Sequence, residues 1–159
     1  MHDIRQQTIA GLSVGQKLSV TRTFTEADML HFGDISRDYN PVHYDARFAA
    51  IKQFNDRICH GLLVAGMVTE IGGQIGWLAS GMNFRFKKPV YFGDTVECIL
   101  TITGIDGDGR AQATAAYYNQ NGEEVLSADL YGILPGERER RIMRTMVAEG
   151  DPTNKLTRK

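Results

Sequence analysis

The chain has 159 residues, 42% hydrophobic and 23% charged, a composition that suits one globular domain with a sizeable core. A formal net charge of -1 gives no general attraction for nucleic acid, so an anionic ligand has to be met by a local cluster of cations. The opening residues lack the apolar core of a secretory signal, and the longest apolar run, GLLVAGMV, is too short to span a bilayer, so neither a membrane protein nor an exported one is expected; cytoplasm is the default.

Residues 15–25, GQKLSVTRTFT, alternate as a first strand does. Thr25 and Asp28 have the spacing of a capping box, which predicts a helix over about residues 26–37 with Met29, Leu30, Phe32 and Ile35 broadly on one side. Pro41 pushes Asn40 out of the helical region, and Asp45 is placed to cap a second helix through ARFAAIKQF. Residues 58–78, ICHGLLVAGMVTEIGGQIGWL, are apolar almost all round, as in a helix buried on most sides. Its glycines weaken an isolated helix but let a sheet approach the backbone closely. Gly72, Gly73 and Gly76 lack the Gly-Lys-Ser/Thr of a phosphate loop.

The second half is rich in strands. MNFRFKKPVYF leads to DTVECILTITGI, where Val96, Cys98, Leu100 and Ile102 share a face. After a turn at Gly107-Asp108-Gly109, AQATAAYYNQ and EEVLSADLYGIL form two more strands joined at Asn121-Gly122. Pro135 closes a single domain over residues 1–135, and residues 136–159 read as a charged extension, partly helical or disordered. Strands with one buried helix inserted early predict an α+β hot-dog fold, an antiparallel sheet wrapped around a long central helix. Its free sheet edge predicts a homodimer.

The chemistry concentrates in RDYNPVHYD, residues 37–45. Asp38 lies at the end of the first helix, where the dipole disfavours a carboxylate's ionised form, and a partly dry setting would add to that. The Asn-Pro step can swing His43 toward it, whereas a continuous helix would not make the two ideal neighbours. Downstream, His60-Gly61 opens the buried helix. The first N–H groups of a helix have no internal partner, and a glycine lets a carbonyl come close to one. Taken singly, each feature also has a plain reading: a turn, a surface histidine, an eased helix entry.

Together, DYNPVHYD, ARFAAIKQF and RICHGLLVAGMV resemble the hydratase motif of the MaoC-like dehydratases, in particular the (R)-specific enoyl-CoA hydratases. MNFRFKKPVYFGDTV is similar to the family's later strand pair, and the resemblance covers roughly residues 15–135. It implies hydration of a trans-2-enoyl-CoA thioester to the (R)-3-hydroxyacyl product, and the reverse dehydration. It also implies that Asp38 and His43 handle the water, that the Gly61 N–H holds the thioester oxygen, and that Asn40 braces the motif. No separate cofactor is implied, since coenzyme A is part of the substrate.

His60 and Thr69 are expected near the substrate, Thr69 at a position where relatives commonly carry serine. Arg85, Lys87 and Lys88 are candidates for the coenzyme A phosphates, with a solvated strand face as the alternative. No metal is expected, because neither Cys59 and Cys98 nor the four histidines have metal-type spacing. Two rival readings stay open on the same fold: an acyl-CoA thioesterase using Glu70, and a non-catalytic acyl-CoA-binding protein.

Overall fold

The computed structural model describes residues 4–151 and 153–155. Its strands are β1 (Lys17–Thr23), β2 (Leu78–Phe86), β3 (Thr95–Ile105), β4 (Arg110–Asn119) and β5 (Glu124–Ile133). Its helices are α1 (Ile4–Ala10), α2 (Glu26–Ser36), α3 (Pro41–Tyr44), α4 (Ala46–Ile51), α5 (Gly61–Ala65), α6 (Met67–Ile75) and α7 (Glu137–Ala148). The strands form one antiparallel sheet in the order β1-β3-β4-β5-β2. Alternation sets its inner face: Val96, Cys98, Leu100 and Ile102 of β3 are all buried. Leu100 pairs with Ala115 and Ile102 with Ala113, so large side chains oppose small ones and leave room for a helix.

The central helix fills that room, as a hot-dog fold requires, but in two pieces rather than the one long helix that the apolar run predicts. It breaks at Gly66, between α5 and α6. The Thr69 N–H bonds the Gly66 carbonyl at 2.9 Å in place of the Ala65 carbonyl, and side chains complete the joint. The Tyr117 hydroxyl donates to the Ala65 carbonyl at 2.8 Å, and the Thr69 hydroxyl donates to the Gly66 carbonyl at 2.6 Å. Val64, Val68, Ile71 and Ile75 are buried against the sheet, each worth about 1.5–3 kcal/mol when withdrawn from water. Gly76, at φ 74°, ends α6 in the left-handed conformation.

The capping box of α2 is present, with Thr25 and Asp28 bonded reciprocally. Its buried face is narrower than predicted: Met29 and Gly33 are buried, whereas Leu30 and Ile35 are exposed. The strand β2 begins at Leu78, four residues before the predicted MNF start. It forms a sheet edge on which Leu78, Met82 and Phe86 are exposed. Trp77 joins α6 to this edge, and a side chain at Gly132 would collide with its indole.

The helix α1, unread in the sequence, and α7 both pack near the end of α6. Arg5 reaches the Gln74 carbonyl at 2.6 Å, the Gly73 carbonyl at 3.1 Å and the Asp151 carboxylate at 2.9 Å. A cation thereby caps the negative end of α6 and bonds a carboxylate 146 positions away. Among the described residues no helix is long and apolar enough to cross a membrane.

Candidate active site

Three successive caps place the site. Arg37 ends α2 with φ 59° and donates its N–H to the Gly33 carbonyl. The Asn40 side chain then accepts the Val42 N–H at 3.2 Å and starts α3, with Pro41 in its first turn, where a missing N–H costs nothing. Asp45 accepts the Arg47 N–H at 2.8 Å and starts α4. A single turn of helix between two caps therefore holds His43, buried, facing the chain segment that carries Asp38.

His43 Nδ1 lies 2.8 Å from the Ile58 carbonyl, which can only accept, so Nδ1 carries the proton and Nε2 keeps the lone pair. That Nε2 stands 3.8 Å from Asp38 Oδ2. Two acceptors at this distance share no hydrogen bond, yet one water oxygen can sit about 2.8 Å from both. Burial, the largest cause, pushes the His43 imidazole below its usual range; His60 pushes the same way, while the Ile58 carbonyl and Asp38 oppose them. His43 is therefore neutral near neutral pH and able to accept a proton. Asp38 departs from the partly dry setting expected of it, since its side chain is 50% exposed against 8% for His43. The Asn40 N–H bonds its Oδ1 at 3.2 Å.

The His43 ring opens on a cavity of about 420 Å³ whose walls include Ile58, Cys59, Val64, Val90 and Leu126. Gly61 stands on the same wall at the first position of α5, and among the described residues its N–H has no hydrogen-bond partner. A Cβ at this position would come within 2.6 Å of the Phe86 ring, so any larger residue here requires that exposed aromatic to move. An apolar chamber with one imidazole acceptor and one backbone donor suits an apolar chain ending in a polarised carbonyl.

His60 joins the group more closely than a gap filler. Its Nε2 lies 2.8 Å from the Asp38 carbonyl and its ring stacks on His43 with centroids 3.8 Å apart. Ligand atoms of Asp38, His43 and His60 fall within 4.8 Å of one another. Stacked imidazoles, however, aim their in-plane lone pairs alongside each other rather than at one ion, so the geometry suits water and substrate better than a metal.

Thr69 is not brought to this cavity: it is exposed farther along the central helix, with its hydroxyl on the Gly66 carbonyl. Glu70 lines a separate depression with Arg22, Phe32 and Leu62. Of the proposed phosphate contacts, Lys87 and Lys88 border the His43 cavity and Arg85 does not. All three hold acidic partners: Arg85 with Asp129 at 2.9 Å, Lys87 with Glu124 and Lys88 with Glu123 at 2.6 Å. The sequence reading missed the Ile58 carbonyl, which no side-chain identity announces. It also missed Phe86, the last residue of β2.

Fold and site together define a hot-dog protein built around an acid–imidazole pair and a backbone donor. The chain belongs to the MaoC-like domain family, whose model matches residues 7–123. It is 33% identical over 129 residues to an (R)-specific enoyl-CoA hydratase of Aeromonas caviae, covering 78% of this chain and 96% of that one. It is 28% identical over 130 residues to a mitochondrial 3-hydroxyacyl-[acyl-carrier-protein] dehydratase of Arabidopsis thaliana, covering 78% of each. Among solved structures it resembles the R-hydratase PhaJ1 of Pseudomonas aeruginosa, with a TM-score of 0.74 at 32% identity, covering 81% of this chain and 86% of that one.

Proposed function

We propose that the protein is a hydro-lyase that adds water to a trans-2-enoyl-CoA, giving the (R)-3-hydroxyacyl-CoA, and catalyses the reverse dehydration. The observation that carries this reading is the unprotonated Nε2 of His43, 3.8 Å from the Asp38 carboxylate, with His43 and Gly61 lining one cavity. Water donates one hydrogen to each acceptor and turns a lone pair toward C3 of the substrate. As the oxygen–C3 bond forms, the C2–C3 π bond opens and negative charge passes to the thioester oxygen, where the Gly61 N–H receives it. The proton lost by water is held by the His43/Asp38 pair, and C2 takes a proton from that pair. The names of the relatives support the substrate class and the (R) outcome.

Addition of water changes no net oxidation state, so the reading needs no redox cofactor, and coenzyme A enters with the substrate. Lys87 and Lys88, at the cavity border, are the cations nearest to hand for its phosphates, once released from Glu124 and Glu123. We assign a homodimer joined along β2, the edge strand whose apolar residues stand exposed. Residues 1–135 form the catalytic domain and 136–159 an extension to it. Cys59 and Cys98 are separate buried thiols, which suits the cytoplasm we assign.

The test follows enoyl absorbance and free thiol together after crotonyl-CoA is added to the purified protein. Enoyl loss without thiol release is expected, slowed by about 10²- to 10⁴-fold in Asp38→Asn and in His43→Gln. Thiol release that survives both changes and disappears in Glu70→Gln would replace the hydratase with a thioesterase.

A further inference from the structure

His60 is 1% exposed, yet the chemistry above gives it no substrate contact. The Asp38 carbonyl can only accept, so His60 Nε2 carries the proton and Nδ1 the lone pair. That Nδ1 is buried and, among the described residues, has no hydrogen-bond partner. The Tyr44 hydroxyl is a second such atom. Buried polar atoms without partners are rare enough that two together call for an explanation.

The two side chains are neighbours. The Tyr44 and His60 rings meet edge-on with centroids 6.1 Å apart. A side chain at Gly33 of α2 would collide with the Tyr44 hydroxyl and would stand 3.7 Å from Cε1 of His60, the carbon between its two nitrogens. Gly33 thus makes room for the Tyr44 hydroxyl near the edge of the His60 ring. A phenol can donate and an imidazole nitrogen can accept, so one water oxygen serves both.

We propose that Tyr44 and His60, bridged by one ordered water, are a positioning pair that holds Asp38 and His43 in reacting geometry. The proposal rests on the Asp38/His43 reading above. The water fixes His60 in the tautomer with hydrogen on Nε2. That hydrogen holds the Asp38 carbonyl at 2.8 Å, and the same ring supports the face of His43 at 3.8 Å. Without a hydrogen on Nε2 the Asp38 carbonyl would lose its donor, and the backbone that carries Asp38 would be released. The titratable groups facing His43 are His60 and Asp38; those facing Tyr44 are Tyr39, Asp34 and Asp38.

The test uses Tyr44→Phe, which keeps the ring and removes the hydroxyl, with nitrogen-15 spectra of the histidines read beside kinetics. In the unchanged protein, His60 is expected as the neutral ring with hydrogen on Nε2. In Tyr44→Phe the tautomers should mix and kcat should fall about tenfold, with KM little altered and the acid limb of the pH profile displaced. A His60 with hydrogen on Nδ1 in the unchanged protein would overturn the proposal, whatever the variant's folding. So would a Tyr44→Phe enzyme with unchanged kcat. Activity that survives Asp38→Asn and His43→Gln would instead overturn the site reading itself, so the two failures are distinguishable.

Discussion

A histidine that must accept a proton from water has to be neutral and must point its lone pair the right way; at His43, burial supplies the first condition and the Ile58 carbonyl the second. Losing either partner of the pair should reduce kcat by about 10²- to 10⁴-fold in His43→Gln and Asp38→Asn, measured on crotonyl-CoA with the fold checked by circular dichroism. The same burial sets a pH dependence. The folded imidazole lies below its ordinary value of 6.5, so kcat/KM should fall on the acid side with a midpoint below 6.5. Stability follows in the same direction. Below 6.5 the unfolded chain takes up a proton at this residue that folded His43 refuses, so this contribution is complete above 6.5 and shrinks as pH drops toward the folded value. Urea titrations at stepped pH should show that slope and should lose it in His43→Gln.

Among the elements, those whose caps are local were legible in the sequence. The Thr25–Asp28 box, Asn40 before Pro41 and Asp45 before α4 each depend on a side chain within three residues of the bond it makes, so reading them needed no tertiary structure. The break at Gly66 was not legible, because it is completed by a hydroxyl from Tyr117 on β4. The same break draws the Thr69 hydroxyl into the backbone, away from the role its position implied. Gly61 was legible as a glycine needed for close approach, but the neighbour it spares is Phe86, from β2. Gly61→Ala should therefore lower kcat/KM about a hundredfold by pushing the ring and the substrate carbonyl out of place. Adding Phe86→Ala should recover part of that loss in the same assay, because it removes the atoms the new Cβ strikes.

At the level of the whole molecule, the ion pair of Arg5 with Asp151 joins α1, the end of α6 and the segment after α7. Both side chains are nearly buried, at 6% and 7% exposure, so removing either one takes an opposite charge away from a buried one. Asp151→Ala should cost about 3 kcal/mol in urea unfolding, since Arg5 keeps its bonds to the Gly73 and Gln74 carbonyls. On β2, Met82→Lys places a charge on the exposed apolar edge and should shift sedimentation of the proposed dimer to monomer. The single tryptophan of the chain lies where these matters meet. Trp77 stands between the end of α6 and the start of β2, lining with Thr69, Met82 and Leu130 a hollow distinct from the His43 cavity. The molecule thus carries its own optical reporter: emission from one indole should change colour when the β2 margin is covered and keep its colour when Asp38 or His43 is altered, so assembly and chemistry can be followed in one cuvette without a label.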